Sequence, residues 1–315
     1  MISYAVTRLL QAIPVLFLTS LIVFFFIRLV PGDPAVTMAG QNGTPQQIEA
    51  MRHRWGLDKP MVTQYLIWIG GVAHGDFGDA YGTQTPVSTV ILQRIPATLH
   101  LAIGTLLVIV VLGTPIGGFT ALRPNHPLSR IVAFGNALAL ATPTFWLGIL
   151  LILFFAVWLR FLPPSGYISI TENPILAIRN LILPCVTLGT AGAAVLSRFL
   201  KSSISEVLGA DFVRTAQAKG LRNRAIVVRH VLKVALLPVI TVMAIQFGYL
   251  LGGAVVTESI FGWPGIGRLI LDSISNGEYL VVQGTMLVFV ATFIVVNVLA
   301  DVTYALLNPR IRYGH

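Results

Sequence analysis

Charge is scarce in this sequence. Of its 315 residues only 10% are Asp, Glu, Lys or Arg, against roughly 25% in a soluble globular domain, while 55% are hydrophobic. A chain this poor in charge cannot turn most of its surface to water. Its one cysteine, Cys185, sits in an apolar run; that excludes an intramolecular disulfide and a cysteine-based metal site, and fits a small buried hydrophobe. No Gly-x-x-x-x-Gly-Lys-Ser/Thr loop occurs, so the chain does not cradle nucleotide phosphates in that way. His53, His74, His100 and His126 have no helical pairing of the kind that makes a metal site. The net charge of +9 does not describe a nucleic-acid surface, because the Lys and Arg residues lie between hydrophobic runs rather than on one soluble face.

What the sequence has is apolar runs. Crossing a hydrocarbon core takes roughly 20 mostly apolar helical residues. Leu9–Phe26, Ala97–Phe119, Ile131–Leu159, Asn180–Ser197, Val234–Thr257 and Tyr279–Ala300 meet or nearly meet that length, and none contains Asp, Glu, Lys or Arg. The spacing predicts an all-α, polytopic membrane protein with six transmembrane helices. The third run is long enough to tilt, or to begin as an interfacial helix broken near Pro143. The first run is too long for a cleaved leader and is followed by no small-residue cleavage site.

Six spans put both termini on one side, and the distribution of Lys and Arg chooses which. One set of segments holds Arg8, Arg123, Arg130, the basic residues between Arg198 and Lys233, Arg310 and Arg312, against only Glu206 and Asp211. The other set mixes Arg28, Arg52, Arg54, Lys59, Arg94, Arg160, Arg179 and Arg268 with a slight excess of carboxylates. Both termini are therefore expected in the cytoplasm, in a plasma-membrane protein. We expect a single transmembrane domain over 1–315: the N-terminus and first span in 1–30, an extracytoplasmic interfacial segment in 31–96, and a five-span core in 97–315. A cytoplasmic segment, 201–233, interrupts that core.

The outer segment carries helix signals. Thr44-Pro45-Gln46-Gln47 is a capping box with proline at the first helical position, and Gly56 is a stop. After Pro60, Val62, Tyr65, Leu66 and Ile69 share a face beside Trp68, as in a helix lying in the outer interface. A third short helix is expected from Thr85-Pro86. The segment has too little apolar surface to fold as an independent soluble domain.

In the cytoplasmic segment, Asp211 is expected to N-cap a short helix over Phe212–Lys219, with Gly220 ending it in the left-handed conformation. Phe212, Val213 and Ala216 fall along one side. Two readings of this crosswise helix stand at the level of residues: an amphipathic connector resting on anionic lipid, or a piece that docks into a partner and passes its motion to two spans.

The run Asp211-Phe212-Val213-Arg214-Thr215-Ala216-Gln217-Ala218-Lys219-Gly220-Leu221 resembles the cytoplasmic "EAA" loop of binding-protein-dependent ABC permeases, in the version of the dipeptide/oligopeptide/nickel branch. The general pattern is Glu-Ala-Ala, three residues, Gly, nine residues, Ile-x-Leu-Pro. Here Arg214-Thr215-Ala216 and Gly220 hold the first places and His230-Val231-Leu232-Lys233 the last, so the glutamate and proline are missing; a later Leu236-Leu237-Pro238 looks like that branch's variant. Further blocks are similar: Gly75–Gly78, Pro143–Gly148, Leu162–Gly166, Val256–Gly267 and the tail Ala300–Tyr304 with Asn308–Arg312, where Asn308 replaces the family's usual Asp. The likeness covers nearly the whole chain.

The resemblance, closest to the first permease of dipeptide systems, implies a type I ABC importer permease fold and a transport subunit that is not itself an enzyme. It implies a second homologous permease subunit, one or two ABC ATPase subunits below, an extracytoplasmic solute-binding protein above, and surrounding membrane lipid. No cofactor is expected on this chain, with ATP and Mg on the partner subunits. The implied cargo is a dipeptide or oligopeptide; nickel, glutathione and haem are the alternatives within the family. ATPase coupling is expected at Asp211, Phe212, Arg214, Thr215, Ala216, Lys219 and Gly220. Ala216 and Gly220 would permit close approach, and Arg214 or Lys219 would meet acidic groups. Glu258, Phe261, Trp263 and Pro264 resemble the loop that meets the binding protein or covers the pathway mouth. Gln246 and Asn297, polar groups inside spans, either line the pathway or bond a neighbouring helix; Asp301, near the cytoplasmic end, is read as an anchor, and Gly248, Gly252 and Gly253 as close-packing positions.

Rival readings are weaker. An ion-coupled secondary transporter usually has more spans, internal repeats and a midplane ion site. A membrane-embedded enzyme needs paired catalytic groups at depth, such as two aspartates or a Ser/His pair on facing spans, which the sequence does not offer.

Overall fold

The computed structural model describes residues 2–29, 33–39 and 43–307. Among these residues regular structure is helical, apart from one isolated antiparallel bridge between Asp79 and Pro86. In chain order the helices are α1 (Ile2–Ile27), α2 (Pro34–Ala39), α3 (Pro45–Trp55), α4 (Met61–Ala73), α5 (Val87–Leu122), α6 (Pro127–Ala141) and α7 (Thr144–Leu151), which continues as a π-helix over Ile152–Trp158. There follow α8 (Pro174–Leu208), α9 (Asp211–Ala218), α10 (Asn223–Ile226) with a π turn over Val227–Val231, α11 (Leu232–Gly253), α12 (Val255–Ile260), α13 (Ile266–Ser275) and α14 (Tyr279–Leu307). The tail block Asn308–Arg312 lies outside the described residues, as do the side chains of Asp301, Leu237 and Pro238 and the surroundings of Gly252 and Gly253.

Among the described residues four helices are long and apolar enough to cross a membrane, or up to six spans if each of two bent pairs counts as one. The sharper bend, 105°, separates α6 from α7. It falls where the sequence predicts a break. Thr142, the residue before Pro143, is held extended (φ −79°, ψ 124°), because the proline ring clashes with a helical neighbour on its N-terminal side.

At Pro96 the outcome differs from expectation. The third outer helix and the second span are one helix, α5, of 36 residues. At 1.5 Å per residue it is about 54 Å long, well beyond a hydrocarbon core of about 30 Å. Buried positions Val87, Ile91, Thr98, Leu101, Thr105 and Ile109 keep helical spacing on both sides of the proline. Packing along the whole stripe outweighs the roughly 3 kcal/mol that an interior proline costs.

The chain forms two compact units, Met1–Thr98 with Pro264–Val295, and Leu99–Trp263 with the residues from Val296 on. In the first, Phe24 of α1 packs edge-on against Tyr65 (5.2 Å between centroids) and beside Trp68 of α4, and Leu287 of α14 completes the cluster. Arg28 lies 3.5 Å over the Phe24 ring and donates to Phe24 O and Gln64 Oε1, both at 2.8 Å, so the end of α1 is fastened to α4. The buried face of α4 is thus Tyr65 and Trp68 with Ile69 and Val72, whereas Val62 and Leu66, from the same apolar stretch, are more than 60% exposed. The aromatic rings offer more area to the core, and the aliphatic side chains are left for the interface. Ahead of α4, α3 has the capping box expected of it: Gln47 N–H donates to Thr44 Oγ1 and Thr44 N–H to Gln47 Oε1, and Gly56 closes the helix at φ +64°.

The second unit is held by small residues. A Cβ added at Gly113 or Gly117 of α5 would come within 3.0 Å of α8 backbone atoms, and one at Gly189 or Gly192 of α8 would strike Val108 or Ile109 of α5. Helices in lipid gain little from apolar burial against one another, so backbones that approach closely supply the packing. Cys185, buried here, lies against Gly104.

Candidate functional site

The helix expected to meet a partner exists and is anchored on one side only. Val213 and Ala216 of α9, 1% and 9% exposed, sit in one apolar cluster with Leu196, Leu200 and Ile204 of α8, Ile226 of α10 and Val231 of the π turn. A spacing of three residues puts both anchors on one face. The opposite face is open: Phe212, Arg214, Thr215 and Lys219 are exposed, and Asp211 fully so. Ala216 therefore packs into its own chain, and its small size serves that contact rather than approach by a partner. Phe212 faces away from the Val213 cluster and is the large apolar group on the open side.

The ends of α9 are asymmetric. Asp211 is the first helical residue, not the cap; Ala210 takes the cap position and offers no side chain to it. The carboxylate still lies in the first turn, where the helix dipole favours it, 3.8 Å from Arg214, a pair too exposed to contribute much. At the other end Gly220 has φ +75°, its N–H reaches Gln217 O at 2.9 Å, and Leu221 N–H reaches Ala216 O at 3.3 Å. This is the Schellman closure, which requires the left-handed residue and favours glycine there. Nothing lies within 4 Å of where a Cβ would stand. Backbone conformation alone holds the glycine within this chain.

The loop after α12, expected to meet the binding protein or to cover the pathway mouth, is enclosed. Glu258, Phe261 and Trp263 are each 1% exposed and Pro264 is half-buried. Phe261 packs on Gly148 of α7, where an added Cβ would meet it at 3.3 Å, and its carbonyl accepts from Gly166 N–H at 2.9 Å. Trp263 stands edge-on to Tyr167, which stacks on His100 of α5. These enclosed side chains wedge α7 and the loop 160–173 in place. Gln246 lies where its amide donates to Gly192 O at 3.5 Å, the helix-to-helix role rather than a free pathway group. Asn297 is half-buried on α14.

Sequence reasoning passed over Glu278. Its two carboxylate oxygens accept from Tyr81 N–H and Gly82 N–H, both at 2.7 Å, joining residues almost 200 apart in sequence. Tyr81 is buried against Trp55 (4.7 Å), and burial pushes its phenol well above the ordinary tyrosine range. Glu278 is one carboxylate among many before folding; only the turn at Ala80–Gly82 reveals it. Glu278→Ala is expected to leave two donors unpaired, cost about 2 kcal/mol and lower the thermal midpoint by roughly 4 °C. Glu278→Gln, keeping one acceptor, is expected to lose about half as much, as read by a thermal-shift series on the purified protein.

Comparison with known proteins places these features. Residues 113–313 match the family described as binding-protein-dependent transport system inner membrane component, and residues 1–102 match the N-terminal region of such membrane components. The glutathione transport system permease protein GsiC of Escherichia coli is 41% identical over 313 residues, covering 99% of this chain and all of that protein. Its counterpart from Shigella flexneri serotype 5b is 40% identical with the same coverage. Among solved structures, an inward-facing conformation of the MetNI methionine ABC transporter superposes with a TM-score of 0.58 at 17% identity, over 70% of this chain and 97% of that one; this likeness speaks to fold alone.

Proposed function

The chain belongs to the family of binding-protein-dependent transport system inner membrane components, and on that premise we propose that it carries a small peptide, with glutathione first among the candidates, into the cytoplasm. It is a multi-pass membrane permease subunit of an ABC importer, with the type I permease fold. The observation that carries the cargo reading is identity of 41% along the entire length of a glutathione permease. Dipeptides and longer peptides, the cargo expected from the sequence blocks, remain the second reading on the likeness of those blocks.

The working cycle follows from the anchoring of α9. Partner ATPases bind on the cytoplasmic side, the side that the Lys/Arg asymmetry assigns to α9 and to both termini. ATP closes the ATPase pair, which presses on Phe212, Arg214, Thr215, Lys219 and the helix end at Gly220. Because Val213 and Ala216 lock α9 to α8 and to the start of α11, the push is transmitted to two membrane helices at once rather than absorbed in a loop. A second permease subunit completes the pathway, one or two kinds of ATPase subunit drive it, and a solute-binding protein delivers cargo from outside.

The test is reconstitution of this chain with its companion permease and ATPases in proteoliposomes, with the binding protein and labelled glutathione outside. Accumulation is expected only with ATP and the binding protein present. Uptake of alanyl-alanine but not glutathione would overturn the cargo and leave the importer intact. Uptake by this chain alone, driven by an ion gradient, would overturn both.

A further inference from the structure

A cavity of about 310 Å³ opens in the first unit, between the end of α1, α3, α4 and the loop after α4. Its floor is aromatic and buried: Phe24, Trp68 and Tyr81, with Trp55 stacked on Tyr81 at 4.7 Å. Arg28 lies at that floor, and Arg54 and Lys59 stand exposed on the rim. None of these three cations pairs with a carboxylate among the described residues. Arg28 spends two of its five N–H groups, on Phe24 O and Gln64 Oε1, and keeps the rest. Burial draws its pKa below the ordinary arginine value, and the Tyr81 and Tyr279 phenols act the other way. The walls are ordered by their own bonds. Gln64 accepts from Arg28 and donates through Nε2 to Leu57 O (3.1 Å) and Lys59 O (2.8 Å), so one side chain fixes both the guanidinium and the turn that bears Lys59. Asp76, the one carboxylate lining the cavity among the described residues, commits one oxygen to Gly78 N–H at 2.8 Å and leaves the other open.

The lining itself selects the occupant. A partly buried guanidinium without a counter-charge calls for a carboxylate, which its planar fork grips with two parallel bonds. Inorganic phosphate or sulfate would use the cations, gain nothing from the aromatic walls and be repelled by Asp76. A neutral apolar molecule would leave the cations unanswered. A short peptide answers all three features with its terminal carboxylate, its side chains and its terminal ammonium. The volume lies at the lower end of small-molecule sites, roughly 300–1,000 Å³, and suits a dipeptide. We propose that this cavity binds a short peptide by its C-terminal carboxylate, held on Arg28 and drawn in by Arg54 and Lys59, with a side chain against Trp55 and Tyr81 and the terminal ammonium at Asp76. Reading the peptide as cargo, held on the outer face before it enters the pathway, rests on the function proposed above; the binding itself does not.

Titration calorimetry of the assembled transporter in nanodiscs, without binding protein or nucleotide, tests this with alanyl-phenylalanine and its C-terminal amide. Saturable binding of the free acid is expected, with the amide about tenfold or more weaker. Arg28→Gln is expected to weaken the acid about 30-fold, and Arg28→Lys, which keeps the charge and gives up the fork, about threefold to tenfold. Because Arg28 also fastens α1 to α4, the exposed pair Arg54→Gln with Lys59→Gln decides if Arg28→Gln melts early. The pair is expected to weaken the acid about fivefold and the amide less than twofold. Equal affinity for acid and amide would overturn the proposal, as would a preference for the acid that survives in Arg28→Gln, or an acid affinity unchanged in the rim pair. Competition by inorganic phosphate as strong as by the peptide would make the site one for any anion and overturn it too. So would absence of peptide binding with Lys59 shielded from amine labelling by the docked binding protein, which would make the cavity a protein contact. Uptake is not the readout, so failure of the importer reading leaves this result standing, and an empty cavity leaves the importer intact.

Discussion

Replacing Gly220 with arginine is expected to abolish ATP-driven uptake while the protein remains inserted in the membrane at its normal level. Two effects combine at this position. The residue sits at φ +75°, where a side chain costs about 1–2 kcal/mol, and the Schellman closure of α9 depends on it. The space around its Cα is open in this chain, so a long side chain projects outward, into the region where the proposed ATPase would bear on the helix end. Gly220→Asn separates the two, since asparagine tolerates the left-handed conformation and is short. It is expected to keep uptake within about threefold of normal. Normal uptake by the arginine variant in vesicles, at matched protein level, would remove α9 from the coupling path. Equal loss in both variants would assign the defect to the cap rather than to docking.

The second large effect is expected at Val213. Aspartate there puts a carboxylate among Leu200, Ile204, Ile226 and Val231, in a cluster whose members are all apolar. An uncompensated buried charge costs about 3 kcal/mol or more, equivalent to a factor of at least ~100 in the docked population of α9. Uptake is expected to fall by about that factor, while ATP hydrolysis by the complex persists without transport. Trypsin gives an independent reading: Arg214 and Lys219 should become cleavable once the helix leaves its seat. Val213→Ala removes contact without adding charge and is expected to cost only about 1–2 kcal/mol, with uptake reduced but measurable. If the aspartate variant transports normally, the rigid link from α9 to the spans is not how force arrives.

Several features of the molecule were readable residue by residue. The capping box at Thr44, the stop at Gly56, the left-handed Gly220 and the break before Pro143 all stand where the residues predict them. Each depends on backbone geometry within about one helical turn, so distant parts of the chain have little say. What the residues alone left undecided is a choice among apolar neighbours. Of the apolar residues of α4, Tyr65 and Trp68 pack inward while Val62 and Leu66 stay exposed; of Phe212, Val213 and Ala216 on α9, the last two pack inward and Phe212 does not; Phe261 and Trp263 are enclosed. Family-like blocks far apart in sequence, at Gly148, Gly166 and Phe261–Trp263, prove to be parts of one wedge.

The physical reason lies in the solvent. Transfer into a bilayer depends on the summed apolarity of about twenty residues, and chain caps depend on a few neighbours, so composition and local order alone determined a helical membrane protein with these helix ends. Inside lipid both the packed and the lipid-facing sides of a helix are apolar, and the alternation that tells inside from outside in a water-soluble protein is lost. Which side packs, which glycines touch another backbone, and that Glu278 closes on Tyr81 and Gly82 across almost 200 residues, only the tertiary structure decided.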